Sequence, residues 1–167
     1  SFRSSQYNYV AALGAGRYSS QRGQHAWYSA GVGTAGAAIT FTQLMTLTAA
    51  GTLSLGVTPS TWANTVNAMQ IGGGGSISDN GAGGHTDYSN NVYYAVDNLN
   101  TGARYISTNA ASNYYQSGGT HVWRYAASGT AGTAITWSEA MRITSAGNVG
   151  IGTTSPGAIR SEEHTSE

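Results

Sequence analysis

Cysteine is absent from the 167 residues, which excludes disulfides, thiolate metal sites and a cysteine nucleophile. Lysine is absent too, so the seven basic residues are all Arg; seven acidic residues balance them to a formal net charge of zero. Electrostatic capture of nucleic acid or of an anionic membrane therefore has no support, since both need a basic excess. Charged residues make up only 8 % of the chain, and proline occurs twice, at Pro59 and Pro156. No apolar run approaches the roughly 18 residues of a membrane-spanning helix, and no secretory leader is recognisable. What is abundant is Gly, with 24 residues, together with 11 Tyr and 4 Trp in a chain that is 40 % hydrophobic. Disordered segments are poor in aromatics, so a folded chain of one or two small domains is expected.

The strongest internal signal is a copy. Residues 25–57 recur, ungapped, at residues 121–153, with fifteen of thirty-three positions identical. His25, Trp27, Gly33, Gly36, Met45, Gly51 and Gly56 reappear as His121, Trp123, Gly129, Gly132, Met141, Gly147 and Gly152. A duplicated module of this size points to an array, in which length or valency is the product.

Within the copied stretch the pattern has period two. Met45, Leu47, Leu53 and Leu55 share a face and alternate with Thr, Ser or Gly, and Met141, Ile143, Val149 and Ile151 keep the same phase in the second copy. This is the pattern of half-buried antiparallel strands. Ile39-Thr40-Phe41-Thr42 and Ile135-Thr136-Trp137 continue it upstream, and Trp27, Trp123, Phe41 and Trp137 mark the repeat with aromatics. Gly51 and Gly147 occupy the third place of three-residue loops, where a left-handed residue closes a hairpin. Further strands are expected at 92–96, 104–107, 113–116 and 121–125. A short helical turn is expected over 60–69, and a Gly/Ser/Asn/Asp loop over 72–90. The fold class expected is all-β, with antiparallel meander or sandwich-like modules in tandem. Residues 1–59 are read as the C-terminal part of one module, 60–156 as a complete module, and 157–159 as the start of a next segment.

Chemistry-bearing residues are sparse. Gly31 to Gly36 spells G-x-G-x-x-G, but a dinucleotide site needs a helix after it, and a Thr/Ile/Phe strand pattern follows. His25 and His121 lack a visible set of co-ligands for a metal. Outside 160–167 the carboxylates are Asp79, Asp87, Asp97 and Glu139; Asp79 and Asp87 are the one pair that a glycosidase mechanism could use, although Asp79-Asn80-Gly81 reads equally as a turn. No catalytic, metal or cofactor residues are assigned. Tyr93, Tyr94, Tyr114 and Tyr115 are candidates for stacking on sugars, against the alternative of cross-strand packing.

The strings 134–144 and Gly147-Asn148-Val149-Gly150-Ile151-Gly152-Thr153-Thr154-Ser155-Pro156 resemble repeats of tailed-bacteriophage tail fibres. The order of parts matches as well, from the Trp62-led stretch through Asn91-Val92-Tyr93-Tyr94 to His121-Val122-Trp123 and the final hairpin. The resemblance implies an elongated homotrimeric virion appendage, assembled in the host cytoplasm. It also implies association with other tail fibre segments, and a distal tip, outside this stretch, that meets a host surface glycan or protein. No enzymatic activity, nucleic acid or membrane insertion is implied. A bacterial surface adhesin repeat and a tailspike-type polysaccharide depolymerase are the alternatives. Met45, Leu47, Leu53, Leu55, Met141, Ile143, Val149 and Ile151 then have two readings: packing inside their own sandwich, or packing across a threefold axis. Residues 160–167 match the conceptual translation of a common sequencing adapter at all eight positions, so this tail is expected to be non-native and the chain a fragment.

Overall fold

The computed structural model describes residues 7–79, 84–97 and 100–157. The adapter-like tail, residues 158–159, the Asn80-Gly81 part of the expected turn and the side chain of Asp97 lie outside the described residues. Among the described residues the chain is all-β, with thirteen strands and no helix. They are β1 (Ala15–Gln21), β2 (Gln24–Ala30), β3 (Thr42–Leu47), β4 (Leu53–Leu55), β5 (Ala68–Ile71), β6 (Gly75–Asp79), β7 (His85–Asn90), β8 (Val92–Asp97), β9 (Asn100–Tyr105), β10 (Asn109–Ser117), β11 (Thr120–Gly129), β12 (Ser138–Ile143) and β13 (Val149–Ile151).

Eleven of these form one sheet in chain order, from β1 to β7 and then β10 to β13; β8 and β9 pair separately. Neighbours are antiparallel except β4 and β5, which run parallel. A parallel pair needs a crossover of about a dozen residues, and residues 56–67 supply it. This crossover carries Trp62, Ala63 and Val66 onto the sheet, all nearly inaccessible. The helical turn expected over 60–69 is replaced by a tight turn in which the Val66 amide donates to the Ala63 carbonyl at 3.0 Å. Met69 stands beyond it, on β5. Trp62 and Val66 reach one core from a turn, so their spacing mimics a helix.

The expected loop over 72–90 contains β6 and β7. Their sequence is small and polar, with low strand propensity, but neighbours distant in the chain supply complete ladders on both sides, and tertiary pairing overrides propensity. Conversely, 39–41 and 135–137 are not strands; β3 and β12 begin after them, at Thr42 and Ser138. Ile135 and Trp137 instead lie against the core.

The core lies on one face of the sheet only. The crossover, the β8–β9 hairpin and residues near 130–137 cover that face, and Trp62, Val66, Val92, Tyr94, Tyr105, Ala111 and Ala126 are buried beneath them. Asn91 sets the change from sheet to cover. Its φ is 62°, in the left-handed region that Asn tolerates. Its side-chain amide donates to the carbonyls of Ser107, Asn109 and Ala110 at 3.0–3.1 Å, and its oxygen accepts from the Ser107 amide at 2.7 Å.

The copied stretch folds twice in the same way, and the structural copy is longer than the sequence match. Gly51 and Gly147 hold φ of 86° and 85°, and their amides donate to Thr48 and Thr144 at 3.0 and 2.9 Å. Upstream, Tyr9 and Tyr105 donate to the carbonyls of Gly31 and Ala127, both at 2.7 Å. Tyr18 and Tyr114 lie within hydrogen-bond reach of His25 and His121 Nδ1, at 2.5 and 2.6 Å. Arg22 and Gly118, at equivalent places, share a positive φ of 51° and 54°.

Candidate functional site

Registering the strands assigns each residue to a face. Leu47, Leu53, Met69, Ile77, Tyr88, Tyr114, Trp123, Met141 and Ile151 are Cα partners in succession, one on each of nine neighbouring strands. They form an unbroken apolar row running across the strands on the face opposite the core. None belongs to the core, and several are well exposed: Leu47 and Ile77 at 38 %, Tyr88 at 48 % and Ile151 at 78 %.

The adjacent row, one residue along each strand, points into the covered face. It reads Thr46, Ser54, Gln70, Ser76, Ser89, Asn113, Arg124 and Glu139. Thr46, Ser54, Gln70, Ser76 and Asn113 are fully or almost fully buried. A sheet with one solvated face normally turns its apolar residues toward the core and its polar residues out. Along these two rows that distribution is inverted.

The polar row is tied together where it is buried. Asp87, with no exposed surface, accepts from Tyr94 Oη at 3.0 Å and Asn113 Nδ2 at 2.6 Å. Arg124 Nη2 stands 3.6 Å from the same carboxylate, and His85 Nδ1 stands 3.2 Å from its other oxygen. Arg124 also donates from Nε to Asn113 at 2.7 Å and lies over the rings of Tyr115 and Trp137 at 4.4 and 4.6 Å, a cation–π arrangement. In the first copy Arg17 takes the corresponding role over Tyr28 and Phe41, at 4.2 and 5.1 Å. Phe41 and Trp137 thus mark the repeat as arginine platforms on the covered face, whereas Trp27 and Trp123 lie on the bare face beside Tyr18 and Tyr114.

Burial pushes the Tyr94 phenol well above its ordinary range, and the neighbouring Asp87 carboxylate adds to the rise while Arg124 opposes it. The phenol therefore stays protonated as the donor to Asp87. In the unfolded chain it ionises near pH 10, so its contribution to stability is complete below that pH. Above it the folded state retains a proton that the unfolded state releases, and stability falls as pH rises. Urea unfolding between pH 8 and 11 is expected to show this alkaline loss, and Tyr94→Phe to flatten it. An unchanged alkaline slope in Tyr94→Phe would place the loss elsewhere.

The sequence-derived candidates separate accordingly. Met45, Leu47, Leu53, Leu55, Met141, Ile143, Val149 and Ile151 all lie outside the core, on the bare face. Tyr94 is corrected from a candidate sugar contact to a buried residue, because its hydroxyl is needed by Asp87 inside the fold. Tyr93 packs edge-on against Trp62, with centroids 6.2 Å apart, and Tyr115 lies beneath Arg124. Tyr114 alone of the four faces the bare side, between Tyr88 and Trp123. Tyr88, Tyr114, Trp123 and Tyr125 border a shallow open depression of about 340 Å³ there. Register was needed to find Met69, Ile77 and Tyr88 in the row; the alternation in Ala68-Met69-Gln70-Ile71 and Ser76-Ile77-Ser78 is the trace they leave in the sequence.

Among the described residues the carboxylates do not converge. Asp79 accepts from the Asn67 amide at 3.1 Å. Strand alternation, with Ser78 opposite Asp87 and Asp79 opposite Thr86, puts Asp79 and Asp87 on opposite faces. Glu139 is held by Arg142 through two bonds of 2.6 Å. Among the described residues no three His, Asp or Glu side chains group as metal ligands, and no helix is long and apolar enough to cross a membrane. Comparison with protein-family models and with curated proteins finds no match.

Proposed function

We propose that the chain is a shaft module of a tailed-bacteriophage tail fibre: a homotrimeric, non-catalytic virion component that serves host attachment by spanning distance. Other fibre segments carry the tip that meets the glycan or protein of the host surface. The observation that carries this reading is the way the module repeats. Seven strand-to-strand steps lead from β1 to its equivalent β10. In a purely antiparallel sheet an odd count would reverse the second copy, but the parallel β4–β5 joint restores the direction. The second copy thus runs in the same direction as the first, as an open-ended array requires. The resemblance of residues 134–156 to tail fibre repeats supplies the biological setting. A depolymerase draws no support from Asp79 and Asp87 on opposite faces, because hydrolysis needs two carboxyl groups flanking one bond.

At a strand spacing of about 4.8 Å, seven strands advance the sheet by about 33 Å. A chain lengthened by one further copy of residues 60–156 is therefore expected to gain about that much in maximum dimension by small-angle X-ray scattering, with unchanged cross-section. A gain in cross-section with constant length would overturn the shaft reading.

A further inference from the structure

The two ends of the large sheet differ. β1 closes one end, and among the described residues no strand pairs with its outer side. It is seven residues long, contains no proline and pairs with β2 without a bulge. Sheets usually blunt such an edge with a short strand, Pro, Lys or a bulge, because free amides and carbonyls template a further strand. The opposite end is blunted in this way: β13 has three residues, and Pro156 follows it. The β1 edge is left open.

The internal repeat shows what such an edge receives. β10 is the equivalent of β1, and β7 occupies its corresponding edge. Residues 85–90 pair antiparallel with 112–117, which stand in the place of 16–21. Two side chains of β1 lack what β7 gives to their counterparts. Asn113 donates to the Asp87 carboxylate of β7 at 2.6 Å. Its counterpart is Arg17, whose Nε is shielded from solvent and has no hydrogen-bond partner among the described residues. No carboxylate pairs with Arg17 there either, although the rings of Tyr28 and Phe41 already hold its guanidinium in place. Tyr114 lies between Trp123 and Tyr88 of β7, the latter stacked at 6.0 Å. Its counterpart Tyr18 has Trp27 on one side, at 5.2 Å, and is 53 % exposed. A strand of the β7 type supplies both groups in one register: a tyrosine opposite position 18 and a carboxylate diagonal to position 17.

We propose that the outer edge of β1 is an acceptor site for one antiparallel strand of the β7 type, carried by another module of the same design. Its carboxylate meets Arg17 and its tyrosine stacks on Tyr18. Main-chain hydrogen bonds supply the affinity, and these two side chains set the register. The chain's own β7 is paired on both sides, so it is not free to serve a second copy. The proposal rests on the array reading for the source of the strand, and deepens it by making the joint between modules a continuous sheet.

The test is a chain with a second copy of residues 85–96 placed directly before Ser1. This sets the added strand at the module's own distance from β1 and at high effective concentration. Amide hydrogen exchange at 16–21 is expected to slow by about tenfold or more relative to the parent chain. Asn in place of the added copy of Asp87 is expected to weaken that protection by about tenfold, the effect of losing a charge-assisted bond. Arg17→Gln is expected to do the same, and the two changes together to do little more than either alone, as for direct partners. A scrambled added strand is expected to protect nothing. Unchanged exchange at 16–21 overturns the acceptor site. Protection that survives both substitutions, or that the scrambled strand gives equally, overturns the β7-type occupant. Either failure leaves the length gain expected of a chain extended by residues 60–156 untouched. Protection without that gain in length supports the acceptor site and sinks the shaft reading alone.

Discussion

Asp87→Ala is expected to lower the free energy of unfolding by about 3–5 kcal/mol, the usual cost of removing one partner of a buried ion pair. The wild-type carboxylate is inaccessible; it accepts hydrogen bonds from Tyr94 and Asn113, and Arg124 and His85 stand within 4 Å of it. Tyr94 belongs to the cover, Asn113 and Arg124 to the sheet, so the substitution unfastens the cover from its support. It also strands a guanidinium whose side chain is only 18 % exposed. Urea titration of the single variant measures the loss, and Asp87→Asn, which keeps the shape and part of the hydrogen bonding, is expected to fall between. A loss under about 1 kcal/mol would mean that water replaces the carboxylate at little cost, contrary to its complete burial.

Gly129→Ala is expected to cost about 1–3 kcal/mol through overpacking. A Cβ at this position would stand 2.3 Å from Cε2 of Tyr105, far inside van der Waals contact. The ring has little room to retreat. It is 5 % exposed, its hydroxyl is bonded to Ala127, and its backbone bonds to Thr133 and Gly132. Gly33 meets Tyr9 in the same manner, at 2.0 Å, so the contact is copied along with the module. Thermal unfolding of Gly129→Ala tests it, with the Gly129→Ala/Tyr105→Ala double variant costing less than the sum of the single changes, as expected for groups in direct contact. An unaltered melting temperature would show that the ring and the glycine are not in contact in solution.

Much of the sheet is legible in the sequence. Alternation identifies β3, β4, β12 and β13, the apolar-rich runs identify β8, β10 and β11, and the Gly51 and Gly147 turns follow from the need for a left-handed residue. Less visible is what depends on partners far along the chain. β6 and β7 hide in Gly, Ser and Asn, because their ladders come from β5 and β10. The equivalence of Tyr9 with Tyr105, and of Tyr18 with Tyr114, is masked by divergence of most residues between them. Hydroxyl and amide side chains opposite Leu, Ile and Met ordinarily mean polar-out and apolar-in. In this sheet Thr46, Ser54 and Gln70 are the inward set, since small polar residues fit beneath a close-lying cover. The direction of a face is thus not contained in its period. The same holds for the bare row as a candidate site: alternation reveals its members strand by strand, whereas its continuity appears only when β4 is registered on β5 and β7 on β10.

That register has a consequence for shape. Trp27 and Trp123 are equivalent residues, but the line of Cα partners leaving Trp27 passes through Met45, Leu55 and Ile71 and arrives on β11 at Tyr125. Tyr125 lies two residues past Trp123. Between Trp27 and its copy the register of the bare face therefore slips by two residues, about 7 Å. A line that drifts at a constant rate stays on a common axis only if the body carrying it winds around that axis, as mismatched periods wind helices into coiled coils. If modules are joined end to end as in the proposed shaft, the two-residue slip of register calls for a gentle supercoil.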